Sequence, residues 1–171
     1  SGLEVCFAGN PLRPARYPNP GDKGGGWLRI QDKLGDQRFS ISDPRPAQWK
    51  SLEDVWVYGY WTFDWADSHE RVTAYDPKAG AVSTAEQGGT YGYSKGRRFF
   101  FNHVLEELDE PGEWWLDRKT GRLILYPAAP IKAGDVVVSQ LASPLVRIVG
   151  AKSVRVRKLQ LESGRSHGVE I

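Results

Sequence analysis

The chain has 171 residues and a formal net charge of +2, from 23 Lys and Arg against 21 Asp and Glu. That length holds one domain, or one domain plus a fragment, and is enough to bury a core. The near balance of charge predicts no strong attraction to nucleic acid, whose binders usually carry a basic stripe, no apolar run approaches the ~20 residues that span a bilayer, and the single cysteine, Cys6, excludes an internal disulfide framework.

The compositional outlier is aromatic: seven Trp and seven Tyr against three His. Rings of that size are either packed in a core or used as flat contact surfaces. The chain contains no Met and no secretory leader, so its native start is expected to lie elsewhere, with Ser1-Gly2 a cloning remnant.

Along the chain, Leu3 to Phe7 alternates as a strand and carries Cys6 as a small, half-buried strand residue. A turn follows at Ala8-Gly9-Asn10-Pro11. Residues 11–26 are rich in Pro and Gly and read as an extended loop. Trp27 to Ile30 and Phe39 to Ile41 are short strands, and Pro46 to Trp49 is one helical turn. Val55 to Trp61 is the strongest strand, β-branched or aromatic at nearly every position. Its alternation puts Trp56, Tyr58 and Tyr60 on one face and Val55, Val57, Gly59 and Trp61 on the other.

Two hairpins follow one rule. Arg71 to Tyr75 and Ala81 to Thr84 flank Asp76-Pro77-Lys78-Ala79-Gly80. Trp114 to Leu116 and Arg122 to Tyr126 flank Asp117-Arg118-Lys119-Thr120-Gly121. In each loop Asp accepts backbone hydrogen bonds and Gly supplies the left-handed residue that closes the turn. Between them, Phe99 to Leu108 predicts a short helix centred on 102–108, capped by Asn102, with Val104, Leu105 and Leu108 as its apolar side.

From about Asp135 the pattern changes to short apolar strands with outward charges: Val136 to Val138, Leu145 to Ile148, Val154 to Arg157, Leu159 to Leu161 and Gly168 to Ile171. Strands of three or four residues do not hold themselves, whereas stacked coils cover one another. The expected fold is all-β with one short helix. Residues 1–134 form an antiparallel β-rich insertion domain, and 135–171 form the first coil of a right-handed parallel β-helix that continues beyond Ile171.

Several segments are distinctive together. They are Ala15-Arg16-Tyr17-Pro18-Asn19 followed by Trp27-Leu28-Arg29-Ile30, then Tyr60-Trp61-Thr62-Phe63-Asp64-Trp65, and the long run from Leu105 through Trp114-Trp115-Leu116-Asp117 into Thr120-Gly121 and Leu125-Tyr126-Pro127. They resemble the insertion domain of bacterial right-handed parallel β-helix proteins, nearest to glycoside hydrolase family 141, which includes fucosidase and xylanase activities. The resemblance covers nearly the whole chain. It implies a parent that acts on polysaccharide and is secreted or periplasmic, with the rest of a β-helix as this chain's partner. It carries no catalytic residue onto these positions.

The acidic cluster Glu106, Glu107, Asp109, Glu110 and Glu113 has the residue type of a glycosidase. Hydrolysis, however, needs two carboxylates facing each other across a cleft, and close spacing on one turn does not supply that; solvated side chains, with Glu113 paired to an Arg, are the plainer reading. Asp64, Asp67, His69 and Glu70 are metal-ligand types, but their spacing matches no calcium loop and the chain has too few His and Cys for zinc. No phosphate-cradling loop or nucleophile elbow is present, so neither a cofactor nor a metal is expected. The aromatic residues carry the functional expectation. Trp61, Trp65, Tyr91, Tyr93 and Trp115 are the candidates for stacking on a sugar ring, with Phe63 in the same loop as Trp65. Three roles fit: a non-catalytic accessory part of a glycoside-hydrolase-like protein, an autonomous carbohydrate-binding module, or a structural segment of a β-helix surface fibre.

Overall fold

The structure, a computed structural model, describes residues 3–171; Ser1-Gly2 lies outside the described residues. The strands in chain order are β1 (Glu4–Phe7), β2 (Asn10–Pro11), β3 (Arg13–Pro14), β4 (Arg16–Tyr17), β5 (Leu28–Arg29), β6 (Asp32–Gly35), β7 (Arg38–Ser40), β8 (Trp56–Tyr60), β9 (Asp67–Asp76), β10 (Ala81–Thr84), β11 (Arg98–Asn102), β12 (Glu113–Asp117), β13 (Arg122–Tyr126), β14 (Val136–Ser139), β15 (Val146–Arg147) and β16 (Val169–Glu170). Helical backbone among the described residues is limited to two short 3-10 turns, Arg45–Gln48 and Leu105–Glu107. The fold is all-β.

The chain divides into two compact units, one of residues up to Arg13 together with Pro127–Ile171, the other Pro14–Tyr126. The second unit is built on an eight-stranded antiparallel sheet in the order β4-β11-β8-β9-β10-β7-β6, with β5 also pairing on β11. Its register explains its two faces. Phe99 lies opposite Gly59 and Phe101 opposite Val57, and these residues are buried; Phe100 lies opposite Tyr58, and both are half-buried. The period-two alternation of β8 and β11 therefore sends one set of side chains into the core and the other outward.

The core comprises Phe39, Val57, Trp61, Val72, Val82, Phe99, Phe101 and neighbours. The outer face carries Trp27, Tyr58, Tyr60 and Phe100 in mutual ring contact. Two guanidinium groups lie over it: Arg16 is 3.5 Å from the Phe100 centroid and Arg98 is 4.4 Å from that of Tyr60. Such cation–π contacts are worth about 0.5–2 kcal/mol, depending on how far the pair is desolvated.

Both hairpins form as the loop chemistry dictates. β9 and β10 pair from Asp76 opposite Ala81, and Gly80 closes the turn at φ +57°. β12 and β13 pair from Asp117 opposite Arg122. Asp117 accepts from the Lys119 and Thr120 N–H groups at 2.9 and 3.3 Å, and Asp76 accepts from the Lys78 N–H at 3.0 Å.

The helix expected over 102–108 does not form. Strand β11 runs through Asn102, because Phe99 and Phe101 pack into the core face and Asn102 still finds ladder partners in Trp56 and Arg16. His103 then takes φ +61° and Val104 is extended at φ −102°, ψ 118°. Only Leu105–Glu107 turns helically, for a single 3-10 turn. The apolar spacing of Val104, Leu105 and Leu108 is real, but tertiary pairing overrides a weak local preference.

In the other unit, β14 pairs antiparallel with β1, Val138 opposite Val5 and Val137 opposite Cys6, and β2 flanks β1 on its other side. Val136 to Val138 is thus a strand, as the sequence indicates, but it closes an antiparallel sheet instead of opening a parallel stack. Cys6 is buried, more deeply than its expected half-burial. Further on, β15 and β16 pair in parallel, Val146 opposite Val169 and Arg147 opposite Glu170. Residues 154–157 and 159–161, expected as strands, have no ladder partner and are not strands. Their apolar and charged side chains are exposed alike, with Val154 at 51% and Leu159 at 62%.

No helix among the described residues is long and apolar enough to cross a membrane.

Candidate functional site

The loop that leaves β8 and the loop between β10 and β11 lie against each other. The Ser94 N–H donates to the Trp61 carbonyl at 2.9 Å. Thr62 Oγ1 donates to the Gly92 carbonyl at 2.9 Å and lies 3.0 Å from Ser94 Oγ. Beneath them runs a chain of polar contacts: Trp61 Nε1–H to Ser68 Oγ at 2.8 Å, Ser68 O–H to Glu70 Oε1 at 2.6 Å, and the Gly89 N–H to the same Glu70 oxygen at 3.0 Å. Glu70, buried, is therefore the post that anchors the glycine-rich loop. Gly88 is required where this loop crosses the core, because a Cβ there would sit 2.6 Å from the Tyr93 ring and 2.9 Å from that of Trp61.

This anchored pair of loops presents three exposed rings. Phe63 and Trp65 stack with centroids 5.2 Å apart and planes 7° from parallel, and Tyr91 meets both edge-on at 5.1 and 5.5 Å. Trp65 is 69% exposed, Tyr91 52% and Phe63 40%. Contacts between the rings add about 0.5–1.5 kcal/mol per pair beyond area burial, so the cluster holds its own shape. A contiguous apolar surface left in water marks a contact site more often than a lone exposed ring does.

The five sequence candidates separate cleanly. Trp65 and Tyr91 form this platform. Trp61 and Tyr93 do not reach solvent, being 2% and 3% exposed. Their rings pack T-shaped at 5.1 Å, and Tyr93 also lies 4.7 Å from Phe39. Tyr93 shares a 2.7 Å hydrogen bond with Thr84, and burial raises the pKa of its phenol. These two candidates are corrected to core residues that hold the platform from beneath. The alternation of Val55 to Trp61 puts Trp61 on the face of Val55 and Val57, and the structure shows that face to be the core.

Trp115 is elsewhere. It is half-buried and lines a cleft of about 290 Å³ with Lys50, Glu53, Leu105, Glu106 and Lys119. One ring face stacks on His103, centroids 5.7 Å apart and planes 21° from parallel. His103 and Asp54 both adopt left-handed backbone, φ +61° and +58°, a conformation that His and Asp tolerate better than most residues.

His103 Nδ1 lies 3.1 Å from the Asp54 carbonyl and 3.2 Å from its carboxylate, while Nε2 accepts from the Leu116 N–H at 3.2 Å. The accepting Nε2 assigns a neutral ring protonated at Nδ1. Burial lowers the pKa of the imidazole, opposed by the nearby Asp54 carboxylate and assisted by Arg118. With both nitrogens engaged, the ring acts as a structural brace between Asp54 and Leu116.

The linkage gives a prediction. Above the unfolded His pKa of ~6.5 both states are neutral and the brace contributes in full. Below it the unfolded chain binds a proton that the folded one resists, so stability falls as pH drops toward the lowered folded pKa. Denaturant midpoints measured between pH 7.5 and 5 are expected to fall less steeply in His103→Asn. Asn tolerates the same backbone and does not titrate.

The acidic residues are mostly spoken for. Glu107, expected in water, and Glu113, expected to pair with an Arg, are 1% and 0% exposed. Glu107 binds Arg45 through Nε at 2.7 Å and Nη2 at 3.1 Å and accepts from Trp49 Nε1. Glu113 accepts from the backbone N–H groups of Asp109 and Glu110, both at 3.2 Å. Of the metal-ligand types, Asp64 binds Arg97 and Arg98, Asp67 accepts from Tyr58 at 2.9 Å, and Glu70 serves the loop. No cluster of three His, Cys, Asp or Glu side chains that could hold a metal occurs among the described residues.

Sequence reasoning passed over the cations beside the platform. Arg29, Lys95, Arg97 and Arg98 gather with Asp64 around a polar cleft of about 310 Å³. Arg97 and Arg98 are adjacent in sequence, and Asp64 sits between Phe63 and Trp65, but nothing local announces that β5 brings Arg29 to the same place. No family model matches the chain, and neither a curated protein nor a solved structure matches it.

Proposed function

We propose that this chain is a non-catalytic, polysaccharide-contacting part of a glycoside-hydrolase-like β-helix protein, exported with its parent. What carries the reading is the platform of Phe63, Trp65 and Tyr91. Three large rings stand in water on an anchored pair of loops, and flat aromatic surfaces of this kind suit the apolar face of a pyranose. The resemblance of the Tyr60 to Trp65 and Leu105 to Asp117 segments to family 141 insertion domains agrees with that choice and supplies the β-helix partner.

The alternative role of an autonomous carbohydrate-binding module draws support from one observation. The platform and the core beneath it both lie within Pro14–Tyr126.

Trp65 is its own reporter. Titrating the chain with xylan, pectin and fucosylated oligosaccharides is expected to give a saturable change in tryptophan fluorescence with at least one of them. Trp65→Ala should weaken that binding ~10-fold or more, as loss of a large contact ring does at a small interface, with only a small fall in the unfolding midpoint from the lost contacts with Phe63 and Tyr91. Hydrolysis of the bound glycan is not expected. The absence of any saturable response across the panel would leave the platform a structural feature and defeat the reading.

A further inference from the structure

The platform adjoins a concentration of positive charge that its own two loops help to build. The loop after β8 carries Phe63 and Trp65 to the platform and Asp64 to the neighbouring cleft. The loop before β11 carries Tyr91 to the platform and Lys95 and Arg97 to the cleft, which Arg29 and Arg98 complete. Within that cleft, four cations face one carboxylate. Asp64 is shared, 3.3 Å from Arg97 Nη1 and 3.4 Å from Arg98 Nη2. Lys95 has a second acid, Asp32, at 2.8 Å, and Arg29 donates to the Gly96 carbonyl at 2.8 Å. Counting Asp32, two positive charges remain uncompensated at one spot, in a chain whose whole formal charge is +2.

Like charges so placed repel, and an anion between them relieves the repulsion. Arginines suit carboxylate and sulfate alike, because their planar fork matches paired oxygens. The cleft is open and polar, so an anion enters with part of its water retained.

Resting on the polysaccharide reading above, we propose that the ligand is an anionic glycan. One sugar ring stacks on Phe63, Trp65 and Tyr91, and a carboxylate or sulfate on the same chain is held by Arg29, Lys95 and Arg97. A nucleic acid is the other polyanion such a patch attracts. The acids Asp32 and Asp64 inside or beside the cleft, and the confinement of the charge to one spot, disfavour a phosphate backbone, which needs a basic track.

The test compares one backbone with and without its charge. Polygalacturonate and its fully methyl-esterified form are titrated into the whole chain, with dextran sulfate, neutral dextran and a single-stranded oligodeoxynucleotide as further arms. The expected result is at least ~10-fold tighter binding of the charged form, the scale of one charge-assisted hydrogen-bond set. That preference should shrink as ionic strength rises from 0.05 to 0.5 M. Lys95→Glu and, separately, Arg97→Gln are expected to remove it, and Trp65→Ala to weaken binding of both forms. Lys95 is 72% exposed, so its variant folds normally, and a matching unfolding midpoint confirms this.

Preference for polygalacturonate over dextran sulfate identifies a carboxylate, and the reverse identifies a sulfate; either supports the proposal. Equal binding of charged and esterified forms, dependent on Trp65 but indifferent to Lys95→Glu, overturns this inference and leaves the platform reading standing. Binding of the oligodeoxynucleotide as tight as that of the best glycan, indifferent to Trp65→Ala, overturns it in favour of general polyanion attraction. No binding of any glycan defeats both.

Discussion

Trp61→Ala is expected to cost about 3–5 kcal/mol of folding stability, the range for deleting a buried tryptophan, and to abolish glycan binding although Trp61 touches no solvent. The ring packs on Phe39, Tyr93 and Phe99 at centroid distances of 6.1, 5.1 and 6.1 Å, and its Nε1–H opens the chain through Ser68 and Glu70 to the Gly89 amide. Removing it leaves a cavity directly under Gly88 and takes from Ser68 the indole donor, so the loop bearing Tyr91 loses its floor and keeps only the Glu70 tether. Trp61→Phe separates the two contributions. It retains most of the apolar contact and deletes the indole N–H, so the hydrogen-bond loss is ~1 kcal/mol, to be compared with the alanine variant in urea titrations. The contrast with Trp65→Ala is the sharper check. One tryptophan governs stability and binding together, the other mainly binding, and a platform supported from below requires that split.

The same pair of residues shows what the sequence made legible. Trp61 and Trp65 are four positions apart in one aromatic run, and only strand alternation tells them apart. Val55 to Tyr60 alternates strictly, which puts Trp61 with Val55 and Val57 without saying which face is the core, and the alternation stops at Thr62, after which side-chain direction is set by loop contacts. The hairpin loops were legible because Asp and Gly act locally, through their own backbone. The 102–108 segment misled for the opposite reason. Its apolar spacing fits a helix, yet β11 continues to Asn102 because β8 and β4 supply ladder partners 40 and more residues away.

The tail was legible in part. The strand at Val136 was visible in its β-branched run, but its partner β1 lies at the other end of the chain. The cationic cleft was the least visible feature, since Arg29, Asp64 and Arg97 are spread over three separate segments that only the sheet unites.

Buried acids follow the same logic and give the second large effect. Glu107 reads in sequence as one of five clustered acids, but it alone meets Arg45 and Trp49, residues about 60 positions earlier. The asymmetry of exposure sets the outcome. Glu107 is 2% exposed in its side chain and Arg45 37%. Arg45→Ala leaves a carboxylate inside the protein with only the Trp49 N–H for company and is expected to destabilise by about 4 kcal/mol. Glu107→Ala strands a guanidinium that water still reaches and one indole N–H, for about 2–3 kcal/mol. Glu107→Gln keeps an acceptor for Trp49 and loses only the charge, so it is milder than either. Equilibrium unfolding of the three variants should rank them in that order. If Glu107→Ala proved costlier than Arg45→Ala, the arginine rather than the carboxylate would be the group that burial strands, and Trp49, which packs edge-on against Phe101 at 4.9 Å, would owe its position to ring packing more than to its hydrogen bond.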